Sequence, residues 1–194
     1  MKRIERQMYD ESHEDTIELA GSLLLAHPHL KDPNFACSVV LMTAHEDGGS
    51  LGVVLNRSTG KRLRDVSPDF DELGLGDVPL YIGGPVSQEQ VILAAWKTLT
   101  DEGAFKLYFG MEPSVAQSKM LTDPDLEFRA FKGYSGWGEG QLLGELEDNA
   151  WVVSDVDANS LSTLEGEQLW RHLIMEVNPE LGLISLEPKD PDSN

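Results

Sequence analysis

The chain has 194 residues, and its 15 Lys and Arg stand against 34 Asp and Glu, a formal charge of −19. That length suits one domain able to bury a full core, and 40% hydrophobic with 25% charged residues is globular rather than disordered composition. The excess of carboxylates opposes a general electrostatic grip on DNA, RNA or an anionic membrane, because phosphate binding needs clustered cations.

The longest apolar runs, Leu23 to Ala26 and Val39 to Met42, fall far short of the roughly 20 residues of a spanning helix. Met1 to Asp15 is mostly polar and holds no signal-peptide core. One cysteine forbids an internal disulfide, so a cytoplasmic protein is the expectation.

The first segment carries little apolar periodicity, with Ile4 and Met8 at helical spacing, and reads as a loosely docked extension. Leu23 to Ala26 is a compact run halted by His27-Pro28, the pattern of a buried strand. Phe35 to Thr43, centred on Val39 to Met42, reads as a second strand. His45 to Gly49 is dense in turn formers and Leu51 to Leu55 resumes a strand, so a hairpin is expected. Lys61 to Gly76, broken by Ser67-Pro68, predicts a short helix followed by a loop.

Leu80 to Ile82, Val91 to Trp96 and Phe105 to Phe109 are further candidate strands. Ser114 to Leu121 predicts a helix with Ser114 as N-cap and Pro124 beyond its end. Phe128 to Tyr134 reads as a strand opening into a glycine cluster, Gly133 to Gly140. Gln141 to Glu147 predicts a helix with Leu142, Leu143 and Leu146 on one side. Trp151 to Val153 reads as a last central strand.

Ser162 and Glu165 have capping-box spacing. The helix beyond them places Leu169, Trp170, Leu173, Ile174 and Val177 on one stripe, and Asn178-Pro179 ends it before a polar tail from Lys189. Hairpin-linked strands with interspersed helices, and no strict alternation, predict an α+β fold with a mixed sheet.

Few of these segments carry recognisable chemistry. The glycine cluster lacks the Lys-Ser/Thr pair of a phosphate loop and the third glycine of a dinucleotide fingerprint. What remains is a glycine-lined turn feeding a helix N-terminus, able to hold an anion on backbone N–H groups. Tight chain packing around Trp137 is the alternative use of the same glycines. Ser135 in Gly-Tyr-Ser-Gly-Trp is one residue out from a nucleophile elbow and has no assignable partners.

His13, His27, His29, His45 and His172 lack metal-ligand spacing, so no metal and no cofactor are expected. Arg57, Lys61, Arg62 and Arg64 form the one basic cluster, read as a solvated face or as a patch for a phosphate or acidic partner.

Four stretches together carry a resemblance: Gly21 to Phe35 (GSLLLAHPHLKDPNF), Ser50 to Arg57 (SLGVVLNR), Tyr81 to Val86 (YIGGPV) and Gly133 to Leu146 (GYSGWGEGQLLGEL). In this order, with Trp151 to Val153 and the Leu169-Trp170 helix, they resemble the YqgE/AlgH family of bacterial proteins. The resemblance covers nearly everything from Leu19 onward. It implies one AlgH-like α+β domain over residues 19–194, with a mixed, branched sheet partly curled into a barrel and helices packed around it. Residues 1–18 form an extension outside it.

The family's recurrent positions fall on Asn56, Arg57, Gly83, Gly84, Pro85, Gly133, Tyr134, Gly136, Trp137, Gly140 and Gln141, which the resemblance offers as a ligand-binding set. This chain departs from the family pattern at Cys37, usually basic, at Leu143, usually acidic, and at Glu139, often proline. Members have been described as transcriptional regulators through a link to alginate production, which is a genetic effect rather than a molecular activity.

The leading expectation is therefore a non-enzymatic regulatory protein that binds a small molecule or a protein partner. An enzyme acting on a small phosphorylated or acidic metabolite, through Gly133 to Gly140 and Arg57, is the alternative. Direct DNA binding comes third, opposed by the charge and by the lack of a helix-turn-helix pattern.

Overall fold

A computed structural model describes residues 19–99, 104–156 and 158–186. The extension expected over residues 1–18 and the tail from Lys189 lie outside these residues. Nine strands make one mixed sheet, in the order β4 (Ser58–Arg62), β5 (Pro79–Ile82), β8 (Glu127–Gly138), β3 (Gly49–Val54), β2 (Val39–Glu46), β1 (Leu23–Ala26) and β9 (Trp151–Ser154). A branch leaves at β8, which also pairs with β6 (Val86–Leu99), itself paired with β7 (Ala104–Phe109). Only β5 and β8 run parallel among these pairs; the others are antiparallel.

The sheet curls into a half-barrel around α5 (Gly166–Val177). Its interior takes alternate residues of successive strands: Leu23 and Leu25, Val39 and Leu41, Val53 and Leu55, Trp96, and Phe131. Helix α5 fills the concavity with Leu169, Trp170, Leu173 and Ile174, and the Trp170 indole donates to the Ala26 carbonyl at 2.8 Å. The intervening residues Leu24, Ala26, Val40, Met42 and Val54 pack on the other face with Trp137, Trp151 and Leu142 of α3 (Gln141–Glu147). Burial on both faces explains why β1 and β2 are unbroken apolar runs rather than alternating ones.

A third core lies outside β5, β6 and β8, under α1 (Asp69–Glu72) and α2 (Pro113–Thr122), with Leu63, Leu75, Leu80, Leu93, Ala116 and Ala130 buried in it. The β2–β3 hairpin forms as expected, with Glu46 opposite Gly49 and a register shift between Met42 and Ala44.

Several local expectations are corrected. Residues 58–62 are a strand, since edge strand β4 needs backbone pairing with β5 rather than apolar side chains. Helix α2 begins at Pro113 after Glu112, so Ser114 is not its cap; proline suits the first turn, where its missing N–H has no partner to lose. The glycine cluster is largely strand, because β8 continues to Gly138. Strand β9 is an edge strand rather than a central one.

Ser162 lies inside α4 (Ala158–Thr163) with its hydroxyl on the Glu127 carboxylate, and α5 starts after Glu165 with no side-chain cap. Leu143 and Val177 are exposed. Asn178 ends α5 and also caps α6 (Pro179–Ile184), accepting from the N–H groups of Glu180 and Leu181.

Burial sets the stability ranking along α5. Truncating Trp170→Ala should cost about 3–5 kcal/mol, whereas Val177→Ala, at the exposed end of the same stripe, should change stability by less than about 0.5 kcal/mol. Urea denaturation of the two variants checks the contrast.

Candidate functional site

The residues singled out from the sequence separate into three places along the sheet. The first is the joint where it branches. Strand β5 runs beside the first half of β8 and β3 beside the second half, and the two meet where Val54 N–H donates to the Gly83 carbonyl at 2.8 Å. Here the chain at Gly83 and Gly84 crosses Gly133 and Tyr134 at backbone contact. A Cβ on Gly83 would sit 2.2 Å from the Gly133 carbonyl oxygen. Gly133 also holds φ +68°, and its Cβ would come 2.5 Å from the Val86 carbonyl oxygen. These glycines make the crossing possible.

Ser135 is fully buried beside them, its hydroxyl donating to the Gly83 carbonyl at 3.2 Å. Tyr134 packs against the barrel core, and Pro85 is exposed.

The second place lies beyond the end of β3. Asn56, 6% exposed, accepts from Val39 N–H at 2.9 Å and donates to the carbonyls of Cys37 at 2.9 Å and Gly166 at 2.8 Å. One amide thereby ties β2, the turn before it and the start of α5. The Arg57 guanidinium donates to the carbonyls of Pro33 at 3.0 Å and Ala36 at 3.3 Å. Burial lowers its pKa, while the charges of Asp32 and Cys37 pull it back up. Cys37 takes φ +56°, with its thiol 3.5 Å from a Glu167 carboxylate oxygen. Tyr81, whose hydroxyl faces Glu165 at 3.3 Å, is raised above the ordinary phenol range by burial, against the lowering influence of Arg129.

The third place is the hairpin end, where Gly136, Trp137, Gly140 and Gln141 come together. Gly140, at φ +68°, precedes α3. Gly138 N–H donates to the Gln141 carbonyl oxygen at 3.1 Å, so a side chain already holds the backbone group that an anion would need. The Gln141 amide donates to Glu145 at 2.9 Å. The other oxygen of that carboxylate accepts both indoles, Trp137 at 2.9 Å and Trp151 at 2.8 Å. Phe35 stacks on Trp137 with centroids 6.1 Å apart and meets Trp151 edge-on at 5.5 Å.

Glu145, Trp151 and Phe35 were not among the expected site residues. The four-residue step from Gln141 to Glu145 was the available signal, since it sets the two side chains on one helix face.

Across the strands from Trp137 runs a polar row. Ser50 lies opposite Trp137 and His45 opposite Ser50, with the His45 Nδ1 atom 2.7 Å from the Ser50 hydroxyl. Beside this row opens a groove of about 400 Å³ lined by Ala44, Glu46, Gly48, Gly49, Ser50, Leu51 and Trp137. Among the described residues no lysine or arginine lines it. Asn56 lies six positions beyond Ser50, past the end of β3, a rise of about 20 Å in extended chain, so Asn56 and Arg57 do not share a pocket with Trp137 and Gln141.

Of the basic cluster, Arg62 and Arg64 lie on a solvated, ion-paired face, whereas Arg57 is bonded to backbone carbonyls elsewhere. Arg64 meets Asp77 at 2.9 Å and Asp71 at 3.3 Å, and Arg62 meets Asp77 at 3.7 Å, all substantially exposed. His27 and His29 stack edge to face at 5.2 Å. Burial, then His29, lowers the His27 pKa. Among the described residues no cluster of three His, Cys, Asp or Glu is placed to hold a metal ion, and no helix is long and apolar enough to cross a membrane.

Both side-chain junctions are expected to carry stability. Asn56→Leu fills the space but strands one N–H and two carbonyls, and should cost on the order of 3 kcal/mol. Glu145→Ala leaves two buried indole donors without their acceptor and should cost a similar amount, on the order of 3 kcal/mol, with a shift in tryptophan emission. Chemical denaturation and fluorescence spectra check the two predictions.

Comparison with known proteins follows the same architecture. The AlgH-like family pattern matches residues 23–182. A UPF0301 protein of Streptomyces coelicolor is 34% identical over 190 residues, covering 91% of this chain and 95% of that one. The crystal structure of a protein from Corynebacterium diphtheriae superposes with a TM-score of 0.70 at 24% identity, over 90% of this chain and 95% of that one. The solution structure of the AlgH protein from Pseudomonas aeruginosa gives 0.62 at 24% identity, over 92% and 98%. By sequence and by fold, the chain belongs to the AlgH-like UPF0301 family.

Proposed function

We propose that this protein is a non-enzymatic binding protein with a regulatory role, and that the groove between the β2–β3 hairpin and Trp137 receives its small ligand or a segment of a protein partner. The observation that carries this reading is the groove itself. It is a concavity of about 400 Å³ with an aromatic wall, beside a hydroxyl and an imidazole held 2.7 Å apart. Such sites combine apolar surface with a few fixed polar groups.

Its chemistry favours a neutral or cationic hydrogen-bonding ligand. Among the described residues, Glu46 is the charged residue in the lining, and no cation lines it. Of the expected set, Trp137 belongs to the lining, with Gly136, Gly140 and Gln141 beside it. Gly83, Gly84, Gly133 and Asn56 support the reading indirectly, by fixing how β3 lies on β8.

The alternative, an enzyme for phosphorylated or acidic metabolites, asks Arg57 to work with the glycine segment. Arg57 is instead bonded to the carbonyls of Pro33 and Ala36 at the far end of β3. Direct DNA binding meets a net charge of −19 and arginines already paired with Asp71 and Asp77. A regulatory effect in a protein of this kind runs through its ligand or partner.

Native mass spectrometry of the full chain, purified gently from its host, should show a retained small molecule or a bound partner. Ser50→Ala, which removes the hydroxyl from the wall, should weaken that interaction about tenfold. A captured ligand or partner that binds the variant as well as the parent protein would overturn the groove assignment. Turnover across a panel of phosphoesters and nucleotides would favour the enzyme instead.

A further inference from the structure

With 34 acids and 15 bases in the chain, a lysine has many carboxylates within reach, and several cations use them. Lys97 meets Asp123 at 2.5 Å, Arg171 meets Glu167 at 3.2 Å, and Arg62 and Arg64 share Asp77. Lys106 and Lys119 do otherwise, converging from two elements on the phenol ring of Tyr108. The Lys119 ammonium stands 3.7 Å from the ring centroid and the Lys106 ammonium 5.1 Å. Neither forms an ion pair among the described residues.

Backbone register makes this arrangement rather than chance. Lys97 on β6 is directly opposite Lys106 on β7, so their side chains leave the same face. Tyr108, two residues along β7, shares that face. Helix α2 covers it, burying Ala116 against Leu93 and Ala130, and carries Lys119 over the tyrosine. Like charges directly opposite each other on a sheet repel. Asp123 pairs with Lys97 and its charge also reaches Lys106, but among the described residues Lys106 and Lys119 form no ion pair and converge on one phenol.

We propose that Lys106, Lys119 and Tyr108, with Lys97 at their margin, form a binding site for a phosphoryl anion, either inorganic phosphate or a phosphomonoester. A phosphoryl group brings close to two negative charges and three acceptor oxygens. It would therefore neutralise both ammoniums and still accept the phenolic O–H, whereas a carboxylate neutralises one. The titration of Tyr108 agrees with the geometry. Hydrogen bonding from Lys106 lowers the phenol below its ordinary range, against a smaller effect of desolvation, and Lys119 adds to the lowering. The site lies on the β6–β7 branch of the sheet and does not depend on the hairpin groove.

The test is an NMR titration of the full chain at low ionic strength, where screening is weak. The Tyr108 ring signals are assigned by comparison with Tyr108→Phe. Sodium phosphate and glycerol phosphate are the probes, with sodium chloride and acetate at matched ionic strength as controls. A saturable shift of Tyr108 with either phosphoryl probe is expected, and it should weaken at least about tenfold in the double variant Lys106→Gln/Lys119→Gln. Lys61→Gln, on the solvated face, should leave it unchanged. Saturation by both probes identifies the phosphoryl group alone as the ligand; saturation by glycerol phosphate only identifies a phosphomonoester.

An equal response to acetate, a shift that never saturates, or one that survives the double substitution would overturn the proposal. Amide spectra of the double variant, unchanged outside β6, β7 and α2, establish that any loss is not unfolding.

Discussion

The crossing of two backbones at Gly83-Gly84 and Gly133-Tyr134 is the constraint on which the rest of the architecture depends. A side chain at Gly83 would overlap the Gly133 carbonyl, and one at Gly133 would overlap the Val86 carbonyl in a conformation that already disfavours it. Because nothing intervenes, β8 exchanges one neighbour for another along its length, with β5 beside its first half and β3 beside its second. That exchange lets a single long strand hold two branches of sheet. One branch leads through β3 to the hairpin and Trp137; the other leads through β6 to β7 and Tyr108. Both candidate binding surfaces owe their positions to a joint that has no exposed chemistry of its own.

Around this joint the central strands are buried on both sides, and each face is secured differently. The concave face is closed by α5, which is held at its start by Asn56 through the Gly166 carbonyl and along its length by Trp170. A cation is buried in the same region. The Arg129 guanidinium lies over the rings of Tyr81 and Trp96 at 4.7 and 4.9 Å and donates to the carbonyls of Leu55 and Leu161. Hydrogen bonds and aromatic faces satisfy it there, which is what a buried charge requires. The convex face is closed by α3, whose Glu145 gathers two indoles onto one carboxylate oxygen. Each face thus combines a buried apolar cluster with a polar group that forms bonds to separate segments.

Those differences explain what the sequence showed and what it withheld. Leu23 to Ala26, Val39 to Met42 and the α5 stripe were legible because deep burial demands continuous or periodic apolar residues, and Gln141 to Glu147 matched its helix. Strand β4 was not legible, since Ser-Thr-Gly-Lys-Arg at a sheet edge is specified by backbone pairing alone. The segment from Gly133 to Gly138 read as a turn because glycine is the usual mark of one. Here Gly133 serves close approach between strands, a tertiary demand that local composition does not reveal, and Gly136 and Gly138 are strand positions with room for a side chain.

Among the site residues, sequence order placed Trp137 and Gln141 together correctly. It gave no means to see that Asn56 and Arg57 lie about 20 Å along the extended chain. Nor could spacing reveal that Glu145, an ordinary helix carboxylate by pattern, accepts three side chains. Such a role depends on Trp137 and Trp151 arriving from different strands.

The distribution of charge completes the functional argument. A surface of −19 repels anions at long range, so any anion that binds must be held by a local arrangement strong enough to overcome that field. The arginines at 62 and 64 are unsuited to this, because Asp71 and Asp77 already occupy them. The hairpin groove is unsuited as well, since Glu46 lines it and, among the described residues, no cation does. Among the described residues, the place suited to an anion is where register sets Lys97 against Lys106 and α2 adds Lys119 above Tyr108. The groove, with Glu46 in its lining, suits a neutral or cationic ligand instead. The two proposed sites would therefore select opposite chemistries from the same solution, and they sit on the two branches that the glycine crossing separates.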